Sequence, residues 1–396
     1  MWRLFAVSLY SGVLLASGVP TVLRQDHLGT KARLAERGLS YSVSFCTDML
    51  GNPVGGKARG FAYAGSLGAA VDVDFGKLCD FQGFEFFSSV VWRTGTNLSS
   101  RKIDNQFPVA QVFGSQTVRL NELFFKQTLW QKRFSIKIGR LDGGNDFLSS
   151  PLYNQFVSNA FCGNPIGIFY NMPFTAYPTA TWGAYMETTP KPFFKVKLAV
   201  YNANNKSAQN RYHGINWTFK ARPGVIWATE FDVLVNQKIP GRGYPGNYKV
   251  GFLYLTGHTR DFNGSNQAGD PCLYFLFDQM VYRKKNTQIV PFVTLLFAPP
   301  NRNQFPFFTS SGVVFYGPLA NRPQDSASIG LAWGSYSQDQ KGTSPQDFEA
   351  ILEANYWFQI SKSFIITPDV QYIIHPKGHA KTPNALVLGA QLELNF

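Results

Sequence analysis

From Leu39 onward the chain alternates apolar and polar positions with period two, and the rhythm returns again and again up to the last residue. The stretch Asn384 to Phe396 shows it most plainly. Leu386, Leu388, Ala390, Leu392, Leu394 and Phe396 share one face, while Val387, Gly389, Gln391, Glu393 and Asn395 share the other. One face is greasy and the other mostly wet. A half-buried strand of a soluble sandwich alternates in the same way, so the decision rests on how the strands are connected.

A run of helix formers, Lys31 to Arg37, ends at Gly38 and predicts a short helix before the first strand. Strands follow from Leu39, with Tyr41, Val43 and Phe45 opposite Ser40, Ser42 and Ser44, and then over Phe61–Phe75, Phe84–Gly95, Thr117–Leu129 and Arg133–Leu141. Asp142 to Ala180 has no strand rhythm. It is about twice the length at which structureless loops become uncommon, and in a barrel it would fold inward and narrow the lumen. Further strands are expected at Thr181–Thr188, Phe193–Asn202, His213–Lys220, Gly224–Val235, Tyr248–Thr256, Leu273–Arg283, Gln288–Ala298, Ser311–Tyr316, Ser326–Tyr336, Phe348–Ile360 and Ser363–Ile374, before the closing one.

Short connections alternate with long ones through the first half, as in barrels with tight periplasmic turns and larger external loops. A sandwich has no reason to sort its connections by length. The sorting breaks at Gly257–Cys272, and the tally of seventeen exceeds by one the even number that bacterial single-chain barrels have. The short Ser311–Tyr316 piece is the weakest of the set. The expectation is an all-β, transmembrane antiparallel barrel of sixteen strands over residues 39–396.

Composition agrees with this picture. The 396 residues include 36 Phe and 18 Tyr, yet mean hydropathy is slightly negative, because polar residues dilute the apolar ones evenly. No apolar run past the amino-terminal segment is long enough for a helical span. Met1–Gly18, with Arg3, an apolar stretch and Ala16-Ser17-Gly18, reads as a cleaved signal peptide, leaving 19–38 as a periplasmic segment with the short helix. Its loss lowers the net charge from +13 to +12. The basic residues are scattered and accompany no nucleic-acid motif, so nucleic acid is not an expected partner. Cys46, Cys79, Cys162 and Cys272 contain no close-spaced pair, which leaves their pairing open and argues against a thiolate metal site.

Enzyme motifs fail on context. Gly241-Arg-Gly-Tyr-Pro-Gly246 places Pro inside the supposed helix start, and His375 and His379 are separated by Pro376 and Gly378, so one helix face does not carry both. No cofactor is expected.

Several phrases together resemble the carbohydrate-selective porin (OprB) family. They are Leu34-Ala-Glu-Arg-Gly38, Arg93-Thr-Gly-Thr-Asn-Leu-Ser99, Phe113 to Leu123, Ile138-Gly-Arg140, Asp146-Phe147, Phe161 to Pro165 and Thr367 to Pro376. The resemblance implies a sixteen-stranded barrel in the bacterial outer membrane that passes small sugars by facilitated diffusion. The closing strand resembles those of outer-membrane barrels, whose terminal aromatic residue, here Phe396, is a signal to the barrel assembly machinery. Outer-membrane lipid is the surrounding partner, and a homo-oligomer is compatible with such a setting.

A sugar pore needs aromatic faces and a few weakly engaging polar groups. The candidates are Arg93, Arg119, Glu122, Arg140, Asp146 and Trp182, which the expected strands bring toward the long Asp142–Ala180 segment. Arg119 and Glu122 have opposite parity, so a regular strand points only one inward unless a bulge intervenes. Trp182, Trp217 and Trp227 also suit the interfacial aromatic girdle. The alternatives are an anion pore for phosphorylated sugars or dicarboxylates, suggested by the positive charge, and a structural or adhesive barrel with a plugged lumen.

Overall fold

The computed structural model describes residues 29–219, 222, 224–237, 243–340 and 346–396; the expected signal peptide lies outside them. A helix α1 (Thr30–Glu36) precedes sixteen antiparallel strands among the described residues. These are β1 (Leu39–Val54), β2 (Gly60–Asp74), β3 (Phe84–Gly95), β4 (Thr117–Leu129), β5 (Phe134–Leu141), β6 (Thr181–Lys191), β7 (Phe194–Asn202) and β8 (Val225–Val235). Then come β9 (Gly246–Arg260), β10 (Asn266–Gln279, resuming as Tyr282–Lys284), β11 (Thr287–Phe297), β12 (Phe307–Tyr316), β13 (Ser326–Ser335), β14 (Phe348–Ser361), β15 (Phe364–Ile374) and β16 (Ala385–Asn395). Both pieces of β10 pair with β11 and therefore count as one strand.

Each strand pairs with its successor, and β16 pairs with β1 from Ser44↔Asn395 to Val54↔Leu386, so no edge is left. Closure lets neighbouring strands pair one another's N–H and C=O groups in a medium without water. At the seam the Phe396 N–H donates to Val43 O at 2.9 Å, and Lys31 of α1 donates to the Phe396 carbonyl.

Two expectations about individual strands are corrected. Ser311–Tyr316 is half of a full strand, β12, which pairs along its whole length with both neighbours. The surplus element is instead His213–Lys220: its described residues join no ladder. The break at Gly257–Cys272 also disappears, because β9 and β10 extend into it and leave only 261–265 as the connection. Those extensions are polar on both faces, so they carry no alternation to read.

The wall sorts its side chains as the pattern requires. Val90, Trp92, Val118, Phe125, Ile138, Trp227 and Leu388 are exposed on the lipid side, whereas Val91, Arg93, Arg119, Phe124, Ala228 and Val387 between them are buried. Residues 96–116 and 142–180 leave the wall and fill part of the lumen. Gln111 N–H donates to Val157 O at 3.0 Å and Asn159 N–H to Pro108 O at 2.9 Å, joining the two segments. Their Phe107, Phe147, Phe156 and Phe161 are fully buried; Phe107 packs on Phe308 of β12 and on Phe305 just before it, Phe147 on Tyr185 and Tyr201, and Phe156 on Phe292. Gly330 of β13 permits this approach, since a Cβ there would lie 2.9 Å from the rings of Phe156 and Phe161.

Candidate functional site

The backbones of the two inward segments have to find hydrogen-bond partners away from bulk water. Carboxylates on the inner wall supply them. Glu349 accepts from the N–H groups of Gln106 (2.7 Å), Phe107 (2.6 Å) and Lys377 (2.5 Å), and Glu353 from those of Val157 (2.6 Å) and Ser158 (3.1 Å). Glu122 accepts from Asp142 N–H at 3.1 Å and Asn145 Nδ2 at 3.0 Å. Glu230 accepts from Leu148 N–H at 3.2 Å and Asp48 from Val112 N–H at 3.3 Å. Charge-assisted bonds of this kind are stronger than neutral ones, so the inward fold of the loops is written into the wall.

A second set of groups anchors the start of the 142–180 segment. Lys137 donates to Asp146, and Tyr201 OH donates to Asp146 Oδ2 at 3.2 Å. Lys197 Nζ donates to Asp146 O at 3.0 Å and to Glu230 Oε1 at 2.5 Å, with Asp232 at 3.3 Å. Tyr274 OH donates to Glu230 Oε2 at 2.8 Å, and Lys249 to Ser149 O at 2.7 Å. Asp142, the first loop residue, is buried beside Glu122 and Asp146; burial first, then those two carboxylates, push its carboxyl well above the usual range.

Arg119 and Glu122 both reach the inner side. At Ser89 the β3–β4 register skips, so Asn121 and Glu122 together oppose one residue, and the Ser89 hydroxyl accepts from Glu122 N–H at 3.3 Å. Arg93 lies on the same face one pair away from Arg119. Its Nη1 donates to Gln111 O (2.9 Å) and Val112 O (2.8 Å), and its guanidinium sits 5.0 Å from the Tyr177 ring centre. Arg119 donates to Asn210 Oδ1 at 2.6 Å.

Arg140 and Trp182 stand elsewhere. They are paired across β5 and β6 and share parity with the exposed Ile138, so they lie on the lipid side of the wall. There the β4–β5 ladder stops at Leu123↔Arg140, because β5 turns inward, and the upper part of β4 has no partner on that side. Segment 204–219 covers the gap. Leu120 N–H donates to His213 O at 2.9 Å, His213 Nδ1 donates to Val118 O at 2.8 Å, and Arg140 donates to Asn216 O (3.2 Å) and Ala180 O (2.9 Å). Trp182 packs on Trp217 at 5.6 Å. Gly214, at φ 71°, makes the approach possible: a Cβ would lie 2.0 Å from Leu120 O. Thus four candidates, Arg93, Arg119, Glu122 and Asp146, gather on the lumen side and two do not. Sequence reasoning misses Tyr177, Lys197, Glu230, Glu349 and Glu353. The last four carry a signal, a charge on the inward parity of a strand, but a strand pattern does not say which inward charges meet a loop.

A closed sixteen-stranded barrel with a lipid-facing apolar band, whose lumen is narrowed by inward-folded loops, is an outer-membrane diffusion pore. The sequence matches the family model described as carbohydrate-selective porin, OprB family, over residues 58–396. The chain belongs to that family, and its function is passive carbohydrate diffusion through the outer membrane. It is similar to Porin B of Pseudomonas aeruginosa, 24% identical, with 94% of this chain and 90% of that protein covered. It is likewise similar to the putative porin QuiX of Acinetobacter baylyi, 24% identical, with 94% and 92% covered. The high-pH structure of Pseudomonas putida OprB superposes with a TM-score of 0.86 at 23% identity, covering 93% of this chain and 96% of that one.

Proposed function

We propose that sugars cross this pore past a constriction made by residues 96–116 and 142–180, and that Tyr177, backed by the buried Arg93, forms its sugar-contacting element. The observation that carries this is the Arg93–Tyr177 stack, in which a guanidinium fixed by two loop carbonyls sets the plane of a half-buried phenol ring. An aromatic face held rigid suits the C–H side of a pyranose and costs little ordering on contact. Arg119 adds positive charge beside it, while Glu122 and Asp146 act as supports for the loop. Cleavage of the signal peptide at Gly18 and assembly into a homo-oligomer belong to the same proposal.

The anion-pore alternative finds less support, since many of the buried wall charges described above are carboxylates. Single-channel recording of the mature chain tests the reading. Glucose, then longer oligosaccharides, should close the channel in a concentration-dependent way, and Tyr177→Ala should weaken that block about tenfold while conductance persists. Block unchanged in Tyr177→Ala removes this residue from the path. Strong anion selectivity in a salt gradient, with no sugar block, replaces the sugar reading with the anion one.

A further inference from the structure

Four neighbouring strands at the seam, β14, β15, β16 and β1, each turn a carboxylate inward: Glu353, Asp369, Glu393 and Asp48. The register sets Asn355 opposite Asp369 and Glu353 opposite Gln371. Within this array every amide donor is spent on an acceptor. Asn355 Nδ2 donates to Glu353 Oε1 at 3.0 Å, Gln371 Nε2 to Asp369 Oδ2 at 2.7 Å and Val109 O at 2.9 Å, and Gln391 Nε2 to Asp48 Oδ1 at 2.8 Å. Glu353 and Asp369 are diagonal neighbours on this inner face, one same-face position apart on paired strands.

What remains is a surplus of acceptors. Among the described residues Asp369 Oδ1, Asn355 Oδ1 and Gln371 Oε1 have no donor, although Asp369 is 2% exposed, Asn355 8% and Gln371 0%. Two neighbouring buried carboxylates repel one another when both are ionised. The guanidinium of Arg93 already donates to Gln111 O and to the carbonyl of Val112, whose N–H Asp48 accepts. A proton shared by Glu353 and Asp369 would relieve their repulsion but leave the three orphan oxygens unmatched. One cation answers both problems, because it neutralises the pair and takes neutral amide oxygens as ligands.

We propose that Glu353, Asp369, Asn355 and Gln371 form a buried site for a hard divalent cation of the calcium type. Calcium accepts carboxylate and amide oxygens together, tolerates irregular geometry and completes its shell with water. Among the described residues no group of three or more carboxylate, imidazole or thiol side chains is arranged to hold a metal ion, so this is a site of two carboxylates completed by amides. It lies under both inward segments, since Glu353 holds Val157 and Ser158 while Gln371 holds Val109. Filling it would therefore tie the two loops to the seam. The proposal does not depend on which sugar the pore passes.

Calorimetric titration of calcium chloride into the folded, chelator-treated chain in detergent tests it, with folding checked by heat-dependent gel mobility. One saturable site is expected, and calcium should raise the temperature at which the folded band is lost. Asp369→Asn should weaken binding at least about tenfold. Gln371→Met, which removes an orphan oxygen and no charge, should weaken it less, and Asp80→Asn, on an exposed turn, should leave it unchanged. Absence of saturable binding, or equal binding by wild type and by folded Asp369→Asn and Gln371→Met, overturns the site and leaves a shared proton.

Discussion

Two long irregular segments repair the same region of the wall by opposite means. Residues 142–180 run into the lumen, where carboxylates and lysines hold their backbone. Residues 204–219 lie over the outer face, where His213 caps the unpaired part of β4 with its carbonyl on Leu120 N–H and its ring on Val118 O, and where Ile215, Trp217 and Phe219 turn outward, 56%, 49% and 64% exposed. The difference follows from the solvent on each side. A water-filled lumen lets charged groups sit in the wall and do the anchoring, whereas hydrocarbon allows only satisfied backbone and apolar side chains.

The largest blow to the inner arrangement is expected from Lys197→Met. It leaves Glu230 and Asp232 buried without their cation, which costs about 3–5 kcal/mol for a broken buried pair and should appear as early loss of the folded band on heating. Glu349→Ala comes next. It strands three backbone N–H groups, at about 1–3 kcal/mol for each group left unsatisfied, and limited proteolysis should cut within 96–116 while channel conductance rises. If the loop stays protected, wall carboxylates are not what holds it.

On the outer side the effects are smaller. Arg140→Ala should free segment 204–219 at a cost of about 1–2 kcal/mol, seen as new proteolytic cleavage there, with sugar block unchanged. Altered block would bring Arg140 back to the permeation path. Ile215→Lys near the outer interface should cost only about 1 kcal/mol in refolding titrations, since charge on the lipid face is tolerated close to the headgroups. An effect as large as that of Lys197→Met would mean that the segment sits deeper than its place beside the end of β4 implies.

The mistaken element at His213–Lys220 is instructive because its alternation is real. Ile215, Trp217 and Phe219 do face outward in every second position, but among the described residues the segment joins no ladder. Conversely, β12 looks weak in the sequence because Thr309, Ser310 and Ser311 put polar side chains on both faces near its start; pairing to β11 and β13 makes it a strand all the same. Arg119 and Glu122 share a face only through a bulge, and the skip at Ser89 supplies it. The closeness of Arg140 and Trp182 in sequence to the long loop suggests the lumen, and parity within the folded wall sends them the other way.

The barrel is legible in local pattern alone: period-two alternation, the absence of a helical span after the amino-terminal segment, and the closing strand are properties that survive without knowledge of any neighbour. The family resemblance lay in short phrases of the same kind. Folding settles the rest: which loop residues meet which wall carboxylates, the early departure of β5 from the wall, and the distant segment that covers the gap. Those contacts join residues up to hundreds of positions apart, such as Phe107 with Glu349, and a pattern that fixes the face of each residue carries no information about its partner across the lumen.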